Sequence, residues 1–161
     1  MSDGLPFDHS RATRAIERVL VEYCRLVDEN RPTDIVELFD PDAIFDYGLD
    51  RVFRGRDQLL GLFRDGLARH EATSHHLSNI VVDVGPTADV ATASATIYAW
   101  HRRRDGVEIQ LWGRYTDHLG RAGVDAPWRF TSRSLRVAGA RHDSASPPVP
   151  PMYERFSRQD S

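Results

Sequence analysis

The sequence predicts an α+β protein in which helices pack on one face of a mostly antiparallel, curved sheet. Three observations support this class: helical spacing of apolar residues in two N-terminal segments, a third helical segment after two short strands, and four strand-like runs in the second half. A chain of 161 residues suits one domain with a substantial core. Its 40% hydrophobic and 28% charged residues are typical of globular proteins.

The first predicted helix spans about residues 11–29. Ile16, Leu20 and Cys24 recur every four residues and therefore form one apolar ridge. The helix should end before Pro32, because the residue that precedes a proline disfavours the α region. Cys24 is the single cysteine, so an internal disulfide is impossible. Its place on the ridge indicates core packing rather than a nucleophile.

Short elements follow the first helix. Thr33 is expected to cap a second helix over residues 34–39. Residues 43–48 and 51–53 are typical of two short strands joined by a tight Gly-Leu-Asp link, and residues 56–70 return to helical spacing. Four longer strands complete the predicted order, at about residues 73–84, 88–103, 107–119 and 127–138.

The two ends of the chain differ in composition from the middle. Residues 1–10 are expected to form a flexible leader, and residues 11–139 the folded domain. Residues 140–161 include the proline-rich stretch SASPPVPP and lack periodicity, which favours a disordered or surface-packed tail. The alternative is a flap that closes over a pocket with three large apolar side chains, Met152, Tyr153 and Phe156.

Composition excludes several classes of function. The net charge of −3 provides no general attraction for nucleic acid or for an anionic membrane. All 21 basic residues are arginine, so a lysine Schiff base is impossible. The N-terminus lacks the apolar stretch of a signal peptide and no segment reaches membrane-spanning length, so we expect a cytoplasmic protein.

Asp28 stands where the apolar ridge of the first helix should continue, four residues after Cys24. A carboxylate on a buried face must be paired or hydrogen-bonded, because its desolvation is costly. Tyr23 adds a phenol about one helical turn earlier. The residues alone leave two interpretations open: a buried functional carboxylate, or an exposed residue in the last turn of the helix.

The stretch ATSHHLSN contains two adjacent histidines. Side chains alternate between the two faces of a strand, so His75 and His76 cannot both serve one site. Alternation also predicts that Asn79 shares the face of His75. The remaining histidines are predicted to lie in loops or on outer faces and receive no role: His9, His70, His118 and His142, with His101 considered below.

The order and length of the elements over residues 11–139 resemble the SnoaL-like, nuclear-transport-factor-like superfamily. This resemblance implies a cone-shaped α+β barrel whose curved sheet wraps around about three N-terminal helices. The branch that contains bile-acid 7α-dehydratase, scytalone dehydratase and lindane dehydrochlorinase is the most similar. Its members carry an aspartate near the end of the first helix and a Thr-x-His motif, which correspond here to Asp28 and Thr73-Ser74-His75.

Further residues match positions that this branch uses. Tyr23 precedes the aspartate by five residues, as in bile-acid dehydratase, and Tyr47 follows it by nineteen, as in that enzyme and in scytalone dehydratase. The resemblance also implies substrate contacts for three residues: Arg133 on the last strand, Tyr115 in the GRYTD run, and Trp100, which lies near the second histidine of scytalone dehydratase with His101 adjacent.

The implied chemistry is acid–base catalysis without a cofactor or metal. Asp28 beside His75 would hold one imidazole tautomer and leave the other ring nitrogen as a general base. Tyr23 and Tyr47 would donate to a leaving group or carbonyl, and Arg133 would stabilise developing negative charge. A lone His-Asp pair lacks the clustered partners of a metal site. We therefore expect a cofactor-independent lyase that dehydrates a small, cyclic, apolar substrate such as a steroid or polyketide.

Two other interpretations remain open. The same pocket could catalyse isomerisation, polyketide cyclisation or epoxide hydrolysis. Alternatively, the domain could be a non-catalytic binding or assembly module, such as the small subunit of a ring-hydroxylating dioxygenase, which does not need the Asp28–His75 pair. Because the open sheet face of these folds commonly pairs with a second copy, the resemblance also implies a homodimer or higher homo-oligomer.

Overall fold

The predicted order of elements recurs over residues 9–143, the part of the chain that the computed structural model describes. The three helices are α1 (His9–Asp28), α2 (Pro32–Glu37) and α3 (Gly55–Ala68). The six strands are β1 (Phe39–Asp46), β2 (Val52–Arg54), β3 (His70–Val84), β4 (Val90–Arg103), β5 (Glu108–Gly120) and β6 (Arg129–His142). None of the described helices combines the length and the apolar character that crossing a membrane requires.

The first helix and the last strand extend beyond their predicted bounds. Helix α1 begins at His9, so residues 9 and 10 belong to the helix and not to the leader. Strand β6 continues to His142, four residues beyond the predicted end of its strand. The rest of the predicted leader and the predicted tail or flap, residues 1–8 and 144–161, lie outside the described residues.

The six strands form one sheet in the order β2-β1-β6-β5-β4-β3. Strands β1 and β6 pair in parallel and the other four neighbouring pairs are antiparallel. The predicted α+β class with a mostly antiparallel sheet is therefore confirmed. The sheet does not close into the barrel that the resemblance implied: β2 has only three residues and pairs only with β1, so β2 and β3 remain edges.

The apolar ridge of α1 packs as the spacing predicted. Ile16 and Leu20 are fully buried and Cys24 is 5% exposed. Asn30, with φ 55°, ends the helix in a left-handed conformation, and the backbone N–H of Arg31 donates to the Leu26 carbonyl at 3.0 Å. Asp28 is thus the last residue of the helix and the end of its buried ridge.

Helix α2 begins differently from the prediction. Pro32 occupies its first turn, where the fixed φ of proline is favourable and the missing N–H would have no partner. Arg31 is the N-cap residue, and no side chain caps the helix. The predicted cap, Thr33, lies inside the helix, because the proline allows the helix to start two residues earlier.

Strand β4 alternates between the two faces of the sheet with unusual regularity. Every second residue from 91 to 99 is buried, and all five are small or β-branched: Ala91, Ala93, Ala95, Ile97 and Ala99. This inward row continues to His101 and Arg103, which line the pocket described below. The intervening residues, including Tyr98 and Trp100, belong to the outer face.

A β-bulge in β3 changes which side chains face inward. The pairing register with β4 shifts between Ser78 and Val81, and Asn79 takes a left-handed φ of 49°. Asn79 is exposed, and its Nδ2 lies 3.5 Å from the hydroxyl of Thr96 on the outer face. The prediction that Asn79 shares the face of His75 is therefore wrong, because the extra residue interrupts the alternation.

Candidate active site

A cavity of about 680 Å³ lies between the helices and the inner face of the sheet. This volume suits a small organic ligand with one or more rings. Its inner end is lined by buried apolar and aromatic side chains, among them Tyr23, Val27, Phe63, Leu111, Tyr115 and Leu135. Thr73, His75 and His101 contribute polar groups to the same wall.

Asp28 accepts three hydrogen bonds at the end of α1. Its Oδ1 accepts from the Thr73 hydroxyl at 2.8 Å and from Nδ1–H of His75 at 2.6 Å, and its Oδ2 accepts from the backbone N–H of His75 at 2.9 Å. Burial by itself raises the pKa of Asp28, but these hydrogen bonds outweigh burial and hold the pKa below its ordinary value. An anion is unfavourable at a helix C-terminus, so the hydrogen bonds are what keep this carboxylate ionised.

The Thr-x-His motif has a geometric explanation. Residues two apart on a strand share a face, so Thr73 and His75 both reach Asp28 from β3. The ionised carboxylate requires a proton on Nδ1 of His75, which leaves the Nε2 lone pair available in the neutral ring. The His75 side chain is only 8% exposed. His76 points to the outer face, where its Nε2 lies 2.9 Å from the Ser74 hydroxyl.

His101 completes the cluster, although sequence reasoning gave the neighbouring Trp100 a role instead. Nε2 of His101 lies 3.2 Å from Nε2 of His75. Burial, with smaller contributions from the charges of His75 and His70, lowers the pKa of His101 to about 3. When His75 is neutral with its proton on Nδ1, the contact is a hydrogen bond only if a neutral His101 donates its Nε2–H to the lone pair of His75. The signal that sequence reasoning missed was the parity of β4, whose inward row reaches residue 101.

Keeping His101 neutral should make stability depend on pH. An unfolded histidine binds a proton below about pH 6.5, whereas folded His101 stays neutral until about pH 3. The contribution of His101 to the free energy of unfolding is fully present above pH 6.5. It is lost as the pH falls toward 3, by about 1.4 kcal/mol per pH unit. In urea denaturation from pH 7 to pH 4, His101→Phe should show a shallower pH dependence than the wild type. The control His118→Phe, at an exposed position, should keep the wild-type slope; an unchanged slope in His101→Phe would contradict the assignment.

His70 also lines the pocket, which corrects its predicted place in a loop or on an outer face. Its Nδ1 lies 2.9 Å from the Gly66 carbonyl, and its ring centroid is 4.9 Å from that of His101. Burial and the nearby guanidinium groups of Arg103 and Arg69 lower the pKa of His70. The ring was misassigned because β3 begins at residue 70, three residues before the predicted strand.

The three predicted tyrosines all line the cavity. Tyr23 is 3% exposed and packs edge-on against Tyr115, with ring centroids 6.0 Å apart. Burial, reinforced by Tyr115, raises the pKa of Tyr23 well above its ordinary value, so its phenol stays protonated. Tyr47 is half-buried and stacks on Phe45 with centroids 4.3 Å apart. These side chains can present hydroxyl groups to a bound ligand.

Arg133 does not line the pocket, contrary to the position expected for a substrate-binding arginine. It is fully buried and forms a bidentate ion pair with Asp117 on the neighbouring strand, at 2.8 and 2.9 Å. Its guanidinium carbon lies 4.2 Å from the ring centroid of Tyr23 and 4.1 Å from that of Tyr115. Asp117 therefore neutralises this charge outside the pocket lining, and the guanidinium packs against the two tyrosine rings.

Trp100 also lies away from the pocket, on the outer face of β4. Its indole N–H donates to Glu108 at 3.1 Å, and the guanidinium of Arg102 lies 5.4 Å from its ring centroid. The predicted substrate contact is therefore corrected. The resemblance located the right stretch of strand, but an error of one residue moves a side chain to the other face.

Other chemical roles find little support among residues 9–143. Burial raises the pKa of the Cys24 thiol to about 12, as expected for a core residue rather than a nucleophile. In that described part of the chain, no group of three or more His, Cys, Asp or Glu side chains is arranged to hold a metal ion.

Solved structures with the same fold include proteins of several descriptions. A candidate scytalone dehydratase from Novosphingobium aromaticivorans has 28% sequence identity and a TM-score of 0.79, with 91% of this chain and 94% of that chain covered. A candidate aromatic ring hydroxylase from the same species has 20% identity and a TM-score of 0.77, with 85% and 96% covered. The hexachlorocyclohexane dehydrochlorinase LinA-type3 from Novosphingobium barchaimii has 19% identity and a TM-score of 0.71, with 88% and 95% covered.

At such identities the last two similarities show the fold alone. Comparison with curated proteins gives no match. The family model described as the SnoaL-like domain matches residues 8–134, which include both strands and the helix that carry Asp28, His75 and His101. The chain therefore belongs to the SnoaL-like domain family.

Proposed function

We propose that the protein is a cofactor-independent lyase that eliminates water, or a comparable leaving group, from a cyclic apolar substrate. The observation that carries this proposal is the 2.6 Å hydrogen bond between Asp28 and Nδ1 of His75 in the wall of an apolar pocket. The candidate scytalone dehydratase with the same fold, at 28% identity, supports a reaction of the lyase type.

The proposed step begins when Nε2 of His75 takes a proton from a carbon of the substrate. The C–H electron pair forms the new double bond as the C–O bond breaks, and the departing oxygen receives a proton and leaves as water. Asp28 stabilises the imidazolium that forms on His75. Because Nε2 of His101 lies 3.2 Å from Nε2 of His75, the substrate must first displace the His101 ring from this nitrogen.

Tyr23 and Tyr47 are the proposed donors on the leaving-group side. The raised pKa of Tyr23 favours a hydrogen-bond donor to a carbonyl or leaving oxygen over a full proton donor. Tyr47, which is less buried, is better suited to exchange a proton with solvent. Tyr115 and the apolar walls would position the ring system of the substrate.

The contact between Asp28 and His75 also helps to distinguish an enzyme from a non-catalytic assembly subunit. An assembly subunit would not need a carboxylate held by three hydrogen bonds against a histidine in a cavity, so this geometry favours an enzyme. Isomerisation and cyclisation use the same base and differ in what happens to the carbanion or enolate. No observation favours them over elimination, and the product analysis below separates elimination from reactions that leave the mass unchanged.

The test is product analysis without added cofactor. Purified protein would be incubated with hydroxylated steroids, polyketide-type cyclic alcohols and chlorinated cyclohexanes, and the products analysed by mass spectrometry. We expect loss of one water or one hydrogen chloride from at least one class, and none with His75→Ala. A product of unchanged mass would replace elimination with isomerisation, and equal turnover by His75→Ala would overturn the assigned base.

The oligomeric state remains a sequence-based prediction. We expect a homodimer or higher homo-oligomer, and sedimentation equilibrium of the purified chain measures this directly. A monomer at micromolar concentration would contradict that expectation without affecting the proposed chemistry.

A further inference from the structure

One end of the pocket is markedly basic. Its charged lining residues are three arginines, Arg51, Arg69 and Arg103, and one aspartate, Asp65. Arg69 is exposed and the Arg103 side chain is 39% exposed, so the pocket opens to solvent beside these two residues. The chain as a whole carries a net charge of −3. The local excess of positive charge is therefore a property of this opening and not of the entire surface.

Arg69 and Arg103 are held next to each other by backbone contacts. Arg69 is the C-cap residue of α3, and its carbonyl accepts the backbone N–H of Arg104 at 3.1 Å. Arg103 lies directly opposite His70 in the pairing of β3 with β4. The end of a helix and the end of a strand thus bring two guanidinium groups to the same side of the cavity.

Both guanidinium groups are available to a ligand. Arg103 forms an ion pair with Asp105, but both side chains are substantially exposed, and such pairs contribute about 0–1 kcal/mol. Among residues 9–143, no carboxylate lies within 4.0 Å of the Arg69 guanidinium. The adjacent Arg102 differs, since it pairs with Glu71 at 3.2 Å and does not line the cavity.

The strand pairing fixes the separation between this basic opening and the proposed base. His75 lies opposite Ala99 and His70 lies opposite Arg103, so four residues of β4 separate the two levels. At about 3.3 Å per residue, the separation along the strand is about 13 Å. Ala99, His101 and Arg103 form one inward row between them, which makes a continuous wall.

We propose that the substrate of this pocket carries a carboxylate or phosphate on an arm that reaches the basic opening, about 13 Å along β4 from the level of His75, where Arg69 and Arg103 bind it. The part of this inference that concerns the reacting carbon rests on the proposed lyase function, whereas the part that concerns the anion-binding site does not. Guanidinium groups match the planar geometry of a carboxylate and the oxygens of a phosphate. The ligand class is therefore an apolar ring body with one anionic arm, and not a wholly neutral hydrocarbon or alcohol.

Binding of matched fluorescent probes tests the anion site. The probes are 4-(1-pyrenyl)butyrate and its uncharged methyl ester, titrated into the full chain at low ionic strength. We expect the acid to bind the wild type at least tenfold more tightly than the ester. The double variant Arg69→Gln/Arg103→Gln should weaken the acid about tenfold and change the ester less than twofold. The control Arg102→Gln, on the neighbouring residue of β4, should leave both affinities within twofold of the wild type.

Two outcomes would overturn the inference: equal affinity of the wild type for acid and ester, or equal weakening of the acid by Arg102→Gln and by the double variant. Replacing the butyrate with 4-(1-pyrenyl)butyl phosphate determines which anion is preferred. His75→Ala separates this inference from the proposed function. It should retain the tenfold preference for the acid even if product analysis shows no elimination by the wild type, and loss of that preference would count against a separate anion site.

Discussion

Replacing Asp28 with asparagine should reduce turnover at least about 100-fold while leaving the protein folded. In the proposed mechanism the carboxylate has two functions: it fixes the proton of His75 on Nδ1 through their hydrogen bond, and it stabilises the imidazolium formed during proton abstraction. An asparagine keeps the size of the side chain but supplies no negative charge. His75→Ala should produce a loss of the same order, because it removes the base itself.

The measurement is the steady-state rate with any substrate found by product analysis, combined with circular dichroism to check folding. Asp34→Asn is the matched control, since Asp34 lies in α2 and pairs with Arg31 at an exposed position. It should keep full activity. Thr73→Val removes one of the three hydrogen bonds to Asp28. Its rate should lie between those of Asp28→Asn and Asp34→Asn. Wild-type turnover in Asp28→Asn would exclude the dyad.

Replacing Asp117 with asparagine should lower the free energy of unfolding by about 3–5 kcal/mol. Asp117 and Arg133 lie directly opposite each other on β5 and β6, and both side chains are completely buried. The neutral amide of an asparagine would leave the guanidinium charge without compensation in a nonpolar environment. Urea denaturation at pH 7 measures this loss.

Two variants define the origin of that loss. Glu71→Gln breaks the exposed Arg102–Glu71 pair and should cost less than about 1 kcal/mol. The double variant Asp117→Leu/Arg133→Met removes both buried charges and should be more stable than Asp117→Asn. If Asp117→Asn costs no more than Glu71→Gln, the buried pair does not contribute as proposed.

The regular parts of the fold followed from periodicity. Four-residue spacing located α1 and its buried ridge, and alternation located all four long strands to within a few residues. Periodicity could not decide whether the sheet closes into a barrel, because pairing between edges depends on strands far apart in sequence. It also missed the start of α2, where Pro32 itself opens the helix.

One long-range contact of the site, between Asp28 and His75, was predictable because Asp28 is unusual within its own helix. Asp28 interrupts an apolar ridge, and the Thr-x-His motif supplied its partner before any contact was visible. His101 was recoverable from the inward row of β4, yet the resemblance favoured Trp100. Asp117 gave no local signal, because its importance lies in the residue opposite to it on another strand.

The bulge at Asn79 reverses the alternation of side chains along β3. Before it, odd-numbered residues such as His75 and Leu77 face inward; after it, even-numbered residues such as Ile80 and Val82 pack against the core. Deleting one residue here would make the alternation of side chains continuous along the whole of β3. Either the apolar residues beyond the bulge or the histidine before it would then face solvent, and His76 would be the histidine carried inward. One unpaired residue therefore decides which of the two histidines faces the cavity.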